Sequence, residues 1–241
     1  MRNFGVIGFP IKHSFSPGYF ASKFKDLSIT DCSYSAFELE DIANIKKLIR
    51  DNSLIGLNVT MPHKQGIIHY LDGISNDAVA LNAVNTVRVI DDKLYGYNTD
   101  LYGFRNSLTP LLSSNHVKAL IFGTGGSSSA VKFVLSQLGI AYKSVSRNSG
   151  ADYTYESLTE EVIVDNKLLI NTTPLGMHHK LDECVTIPYD AITNDDLCYD
   201  LVYTPAETLF LKKCKEHGAS IKNGLQMLEL QADKSWEIWN M

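Results

Sequence analysis

Three short stretches hold the side chains best suited to chemistry. In Asn58-Val59-Thr60-Met61-Pro62-His63-Lys64 an apolar run ends in polar groups. Lys64 could polarise a carbonyl and exchange a proton with it if its pKa is lowered; the competing role is that of a solvated surface lysine. In Gly96-Tyr97-Asn98-Thr99-Asp100 a second such run ends in a carboxylate. Asp100 could orient Lys64 or share a proton with it, or it could cap a helix beginning near Leu101. The third stretch is Gly123-Thr124-Gly125-Gly126, which follows the apolar run Ala119-Leu120-Ile121-Phe122 and precedes a helical pattern. A strand, a glycine turn and a helix in that order form a phosphate-binding corner. The glycines let the backbone approach a pyrophosphate, and the helix start offers free N–H groups and the positive end of its dipole. The competing role is a tight turn without a ligand. Ala130 stands where helix must pack on strand, and no Lys-Ser/Thr pair follows as a nucleoside-triphosphate loop requires. A dinucleotide is therefore expected at this turn.

Which dinucleotide depends on the end of the next strand. An NAD site places an Asp or Glu there to accept from the ribose hydroxyls. Here the strand ends Val145-Ser146-Arg147-Asn148, with no carboxylate before Asp152. A hydroxyl and a guanidinium suit a 2′-phosphate, which predicts NADP over NAD. A nicotinamide cofactor implies hydride transfer, so the remaining residues must hold an alcohol or its ketone and manage one proton. In His13-Ser14-Phe15-Ser16-Pro17, Ser14 and Ser16 suit either a helix-start turn or the recognition of a substrate carboxylate. His63 reads as structural, and His178-His179 lacks the helical spacing of a metal pair.

Short apolar runs at residues 4–7, 32–37, 54–59, 84–90 and 94–97 predict strands, and Ile42, Ile45, Leu48 and Ile49 predict a helix between them, with Asp41 as its cap. Asp91-Asp92 predicts a hairpin, so the first sheet should be mixed. From Val117 onward strands at 118–122, 141–145, 168–171 and 198–202 alternate with helices at 128–138 and 209–217, and Gly139 and Gly218 stand where those helices should stop. That regularity predicts a parallel, doubly wound sheet. The fold class is α/β, with the change of texture between Asp100 and His116 as the domain boundary.

A chain of 241 residues with 44% hydrophobic and 20% charged residues has the composition of a folded globular protein. A net charge of −5 without a long basic run argues against nucleic acid or an anionic membrane as partner and leaves a small molecule. Cys32, Cys184, Cys198 and Cys214 lie far apart without a CxxC pair, which argues against a metal site or a disulfide framework and for a reducing cytoplasm. No segment approaches the ~20 apolar residues of a membrane span.

The ordered set of motifs is far more specific than any one of them. Gly8-Phe9-Pro10, His13 to Pro17, Asn58 to Lys64, Ala83-Val84-Asn85-Thr86, Gly96 to Asp100 and the Gly123 turn come first. They are followed by Asn171-Thr172-Thr173-Pro174-Leu175-Gly176-Met177, Asp200-Leu201-Val202-Tyr203-Thr204-Pro205 and Gly224, Met227 and Gln231. Together, over nearly the full chain, they resemble the shikimate dehydrogenase family. The resemblance implies reversible reduction of 3-dehydroshikimate to shikimate with NADPH, in aromatic amino-acid biosynthesis. It implies a catalytic pair, Lys64 and Asp100, and no metal. Ser14, Ser16, Asn58, Thr60, Asn85, Tyr203 and Gln231 would join Asp100 in holding the substrate. Gly123, Thr124, Gly125, Gly126, Ser127, Ser146, Arg147, Leu201, Gly224 and Met227 would hold the cofactor. It also implies a discontinuous substrate domain, residues 1–101 with 225–241, around an NADP-binding Rossmann-like domain at 102–224. The oligomeric state is left open between monomer and homodimer.

Two departures mark this chain. Where the family continues from Ser16-Pro17 to a His-Asn pair, Gly18-Tyr19-Phe20 stands, and its Asn-Arg-Thr corner is Ser146-Arg147-Asn148. Two alternatives stay open: a relative that oxidises quinate as well, with NAD, and a non-catalytic member that only binds the ligand.

Overall fold

The computed structural model describes every residue except His13 and His179, so those members of the motifs above lie outside the described residues. The chain divides into two compact units, Met1–Tyr102 with Gln231–Met241, and Gly103–Leu230. Among the described residues each unit is built on one six-stranded sheet.

The first unit contains β1 (Arg2–Gly8), α1 (Ser16–Asp26), β2 (Cys32–Glu38), α2 (Ile45–Asp51), β3 (Leu54–Val59), α3 (His63–Gly66), β4 (Gly73–Ile74), α4 (Asn76–Leu81), β5 (Thr86–Ile90), β6 (Lys93–Tyr97) and the start of α5 (Asp100–Leu108). Its strands lie in the order β2-β1-β3-β5-β6-β4. β1 runs parallel to β2 and β3, while β5 is antiparallel to β3 and β6, so the sheet is mixed as expected. β1 and β3 are buried along almost their whole length, which suits strands covered on both faces. One face packs Ile7, Leu57 and Val87 against Ile45 and Ile49 of α2 and Ala78 of α4. The other packs Phe4 against Phe20 and Phe24 of α1 and against Ala232, Ile238 and Trp239 near the C-terminus. The hairpin turns on Asp91 and Asp92, whose φ of 48° and 60° give the left-handed pair that matches strand twist.

The second unit continues with β7 (Lys118–Phe122), α6 (Gly126–Gln137), β8 (Ala141–Ser146), β9 (Tyr153–Thr154), α7 (Glu160–Val164), β10 (Leu168–Asn171), β11 (Leu197–Asp200), α8 (Leu209–Glu216), β12 (Ser220–Asn223) and the first part of α9 (Leu225–Trp239). All its strands are parallel, in the order β12-β11-β10-β7-β8-β9. From β7 the chain first builds outward through β8 and β9, then returns to place β10 on the other side. The carboxyl ends of β7 and β10 thus flank a topological switch point, where open α/β sheets bind ligands.

Several boundaries differ from those expected. The helix expected from Ile42 opens as a 3-10 turn capped by the Asp41 side chain and becomes α-helical at Ile45. The strand expected from Val84 starts at Thr86, because the Val84 N–H turns aside to the Lys64 carbonyl. The strand expected to reach Val202 stops at Asp200, whose carboxylate takes the Val202 N–H. β4, β9 and β12 are short or polar and carry little periodic signal.

Candidate active site

Lys64 and Asp100 are brought together by secondary structure. α3 starts immediately after the Met61-Pro62 corner that follows β3, and α5 starts just beyond β6, so each residue lies in the first turn of a helix that follows a strand's carboxyl end. Lys64 Nζ lies 2.7 Å from Asp100 Oδ2, with the two side chains 31% and 22% exposed. The pair is half-buried and reachable, as proton exchange with a small molecule requires. Asp100 is itself the first residue of α5, and its amide donates to Asn98 Oδ1 at 3.0 Å. Its other carboxylate oxygen accepts from Asn85 Nδ2 at 2.9 Å.

Asn85 can present only its NH2 to Asp100. Its Oδ1 already accepts from the Thr99 N–H at 2.8 Å, and a backbone amide can only donate. Thr86 Oγ1 and Thr99 Oγ1 approach the same oxygen at 3.1 and 3.2 Å. Gln231 joins from α9, its Oε1 accepting from Thr99 Oγ1 at 3.2 Å. Asn58 Nδ2 reaches the Asn85 carbonyl, and Asn58 Oδ1 accepts from Tyr34. Lys64, Asp100, Asn85, Asn58 and Gln231, five residues singled out in the sequence, therefore form one hydrogen-bonded cluster.

Ser16 is buried at the start of α1 and lies beside the Tyr34 phenol, whose pKa burial pushes up and Ser16 works to lower. Ser14 precedes α1 and Thr60 follows β3, both half-buried. His63 is buried with Nε2 2.5 Å from the Leu39 carbonyl oxygen, a structural role. Tyr34 and Ser235, both bonded to Asn58, were not anticipated. No group of three or more His, Cys, Asp or Glu among the described residues could hold a metal.

The second unit fits a dinucleotide. Gly123 has φ +103°, and a Cβ there would come within 2.8 Å of Thr172 Oγ1, so both backbone and space require glycine. A Cβ on Gly125 or Gly126 would meet nothing within 4 Å, leaving open space over the first turn of α6, where the opening N–H groups have no helical acceptor. Ser128 anchors the turn through Oγ to the Gly125 carbonyl at 2.6 Å, while Thr124 and Ser127 are exposed.

At the end of β8, Ser146 Oγ forms a tight turn with Asn148. Arg147 is exposed, close enough to Tyr155 to counter the rise that burial imposes on its phenol. Asp152 is not free to hold a ribose, because it accepts from the Ser144 N–H and pairs with Lys143. On the far side of the switch point Gly224 lies so close to Leu201 that a Cβ would sit 2.1 Å from the Leu201 carbonyl oxygen. Met227 follows on α9, and Tyr203 is half-buried with its phenol pKa raised by burial.

Residues 6–87 match the family described as the shikimate dehydrogenase substrate binding domain. A shikimate dehydrogenase (NADP+) of Clostridium beijerinckii is 38% identical, over 99% of this chain and 92% of its own length. The Thermus thermophilus shikimate 5-dehydrogenase, solved in complex with NADP(H) and shikimate, superposes with a TM-score of 0.86 at 30% identity, covering 99% of this chain and 93% of that one. A Listeria monocytogenes shikimate 5-dehydrogenase, solved with shikimate and NAD, superposes with a TM-score of 0.88 at 30% identity, covering 100% and 92%. A lysine–carboxylate pair in one α/β unit, a glycine turn at the switch point of the other and likeness over nearly the full length converge: the chain belongs to the shikimate dehydrogenase family.

Proposed function

We propose that this protein interconverts shikimate and 3-dehydroshikimate with NADP(H), as a cytoplasmic enzyme working as a monomer or homodimer. The observation that carries this reading is the 2.7 Å contact between Lys64 and Asp100, half-buried in the unit that contains residues 6–87. A nicotinamide cofactor, when bound, would supply the hydride. Lys64 gives a proton to the ketone oxygen as charge develops there and recovers one in the reverse direction. Asp100 holds the Lys64 ammonium and accepts from a ring hydroxyl, and Asn85 fixes the carboxylate. Ser14, Ser16, Thr60 and Gln231 complete recognition of a small polyol acid, whose several oxygens demand several fixed partners.

The first unit would be the substrate domain and the second the cofactor domain. There the Gly123–Ser127 turn takes the pyrophosphate and Ser146 with Arg147 takes the 2′-phosphate, while Leu201, Gly224 and Met227 line the rest. The test is to follow reduced-nicotinamide absorbance with shikimate or quinate against NADP or NAD. Turnover is expected with shikimate and NADP. Preference for quinate or for NAD would favour the dual-specificity alternative, and no turnover in any combination would favour a ligand-binding role.

A further inference from the structure

Asn58 is among the residues the family resemblance gives to the substrate, yet its carboxamide is occupied inside the protein. The residue is only 6% exposed. Its Oδ1 accepts from Tyr34 Oη at 2.7 Å. Its Nδ2 donates to Ser235 Oγ at 2.9 Å, with the Asn85 carbonyl oxygen and Thr86 Oγ1 each at 3.3 Å. Both amide protons and one oxygen lone pair are thus spoken for. The group cannot be reversed, because its oxygen would then face the Asn85 carbonyl, acceptor against acceptor.

We infer that Asn58 is a positioning residue: with Tyr34 and Ser235 it ties Ser16 on one side to Asn85 and Asp100 on the other, and makes no bond to the substrate. This rests on the function proposed above. Sheet register supplies the reason, since Asn58 of β3 stands opposite Thr86 of β5 and so lies against the backbone that carries Asn85. Tyr34 is a fixed anchor, its ring stacked on Phe20 at 4.4 Å and its oxygen beside Ser16. Ser235 is fully buried on α9, one turn beyond Gln231, and its Oγ also lies 2.8 Å from Thr86 Oγ1. Holding the Asn85 carbonyl fixes that residue, whose NH2 must then face Asp100. Removing an outer tie frees the Asn58 amide, lets the Asn85 segment shift and misplaces a pair that must meet the ketone in one geometry.

The experiment measures kcat, KM and thermal unfolding for wild type, Tyr34→Phe, Ser235→Ala, Asn58→Ala and the Tyr34→Phe/Asn58→Ala double variant. Shikimate is compared with analogues that each lack one of the ring hydroxyls that are not oxidised. With an active wild type, Tyr34→Phe and Ser235→Ala should each lower kcat by roughly 10- to 100-fold, with KM moving less. The loss in Asn58→Ala should be the same for shikimate and every analogue. The double variant should be no slower than Asn58→Ala, because both changes break one tie. Wild-type kcat in Tyr34→Phe and Ser235→Ala, with only a lower unfolding temperature, overturns the inference. So does an Asn58→Ala loss that disappears with one analogue, the mark of a direct ligand. A wild-type protein that does not turn over shikimate overturns instead the proposed function, and is seen before any variant is compared.

Discussion

Asp200 should make the stability of this protein depend on pH in a direction opposite to that of most carboxylates. It is fully buried at the end of β11 and accepts from Asn171 Nδ2 and the Val202 N–H through Oδ1, and from Thr208 Oγ1 through Oδ2. Those donors favour the charged form, but burial outweighs them and pushes the carboxyl from an ordinary 3.8 up to about 6. The folded state therefore holds the proton more tightly than the unfolded chain. Stability from this group is fully present below pH 3.8 and is lost as pH rises through about 6. A gap of about 2 pH units at about 1.36 kcal/mol each makes the total roughly 3 kcal/mol, of which about half falls between pH 5 and 8. Urea unfolding of wild type and Asp200→Asn at intervals across that range isolates the effect, because Asn has no proton to lose and the other groups cancel in the difference. Wild type should lose stability relative to the variant as pH rises. A difference that stays flat, or that grows in favour of wild type, would refute the dominance of burial at this site.

Gly224→Ala should lower stability by roughly 1–3 kcal/mol or more, because the new Cβ meets the Leu201 backbone at 2.1 Å and no side chain can swing aside; a thermal melt reads it, and an unchanged midpoint would show that the two segments can part freely. Arg147→Ala should weaken NADP by roughly 10- to 100-fold, the worth of a charge-assisted hydrogen bond, while sparing NAD. Equal weakening of both cofactors in a binding titration would remove Arg147 from the 2′-phosphate. Asp100→Asn should lower kcat by less than loss of Lys64 does, since the ammonium remains in place; wild-type turnover would leave Asp100 as merely the first residue of its helix.

What the sequence made legible follows from how local each signal is. The α/β class, the mixed first sheet and the parallel second one were readable because β1, β3, β7 and β10 are short apolar runs and Asp91-Asp92 is a turn pair. β12, with the sequence Ser-Ile-Lys-Asn, owes its strand to pairing with β11 and has no such pattern. At the site, Lys64 and Asp100 stood out by chemistry and Asn85 only through the family resemblance, while the contact of Lys64 with Asp100 depends on two helix starts separated by 36 positions in the chain. Tyr34 and Ser235 were missed for the same reason, because their partners are 24 and 177 positions away from them, both being Asn58. The one local hint was Ser235 itself, a hydroxyl four residues beyond Gln231 on a helix face otherwise lined by Ala232, Ile238 and Trp239.

That Lys64 moves the proton while a nicotinamide carries the hydride is tested most directly by comparing wild type and Lys64→Ala with shikimate and NADP. Turnover and shikimate affinity should be measured separately. Lys64→Ala should lower kcat by roughly 10²- to 10⁴-fold while affinity for shikimate changes far less, the signature of a group that acts in the transition state. Near-normal turnover in Lys64→Ala, or a loss confined to shikimate binding, would contradict it.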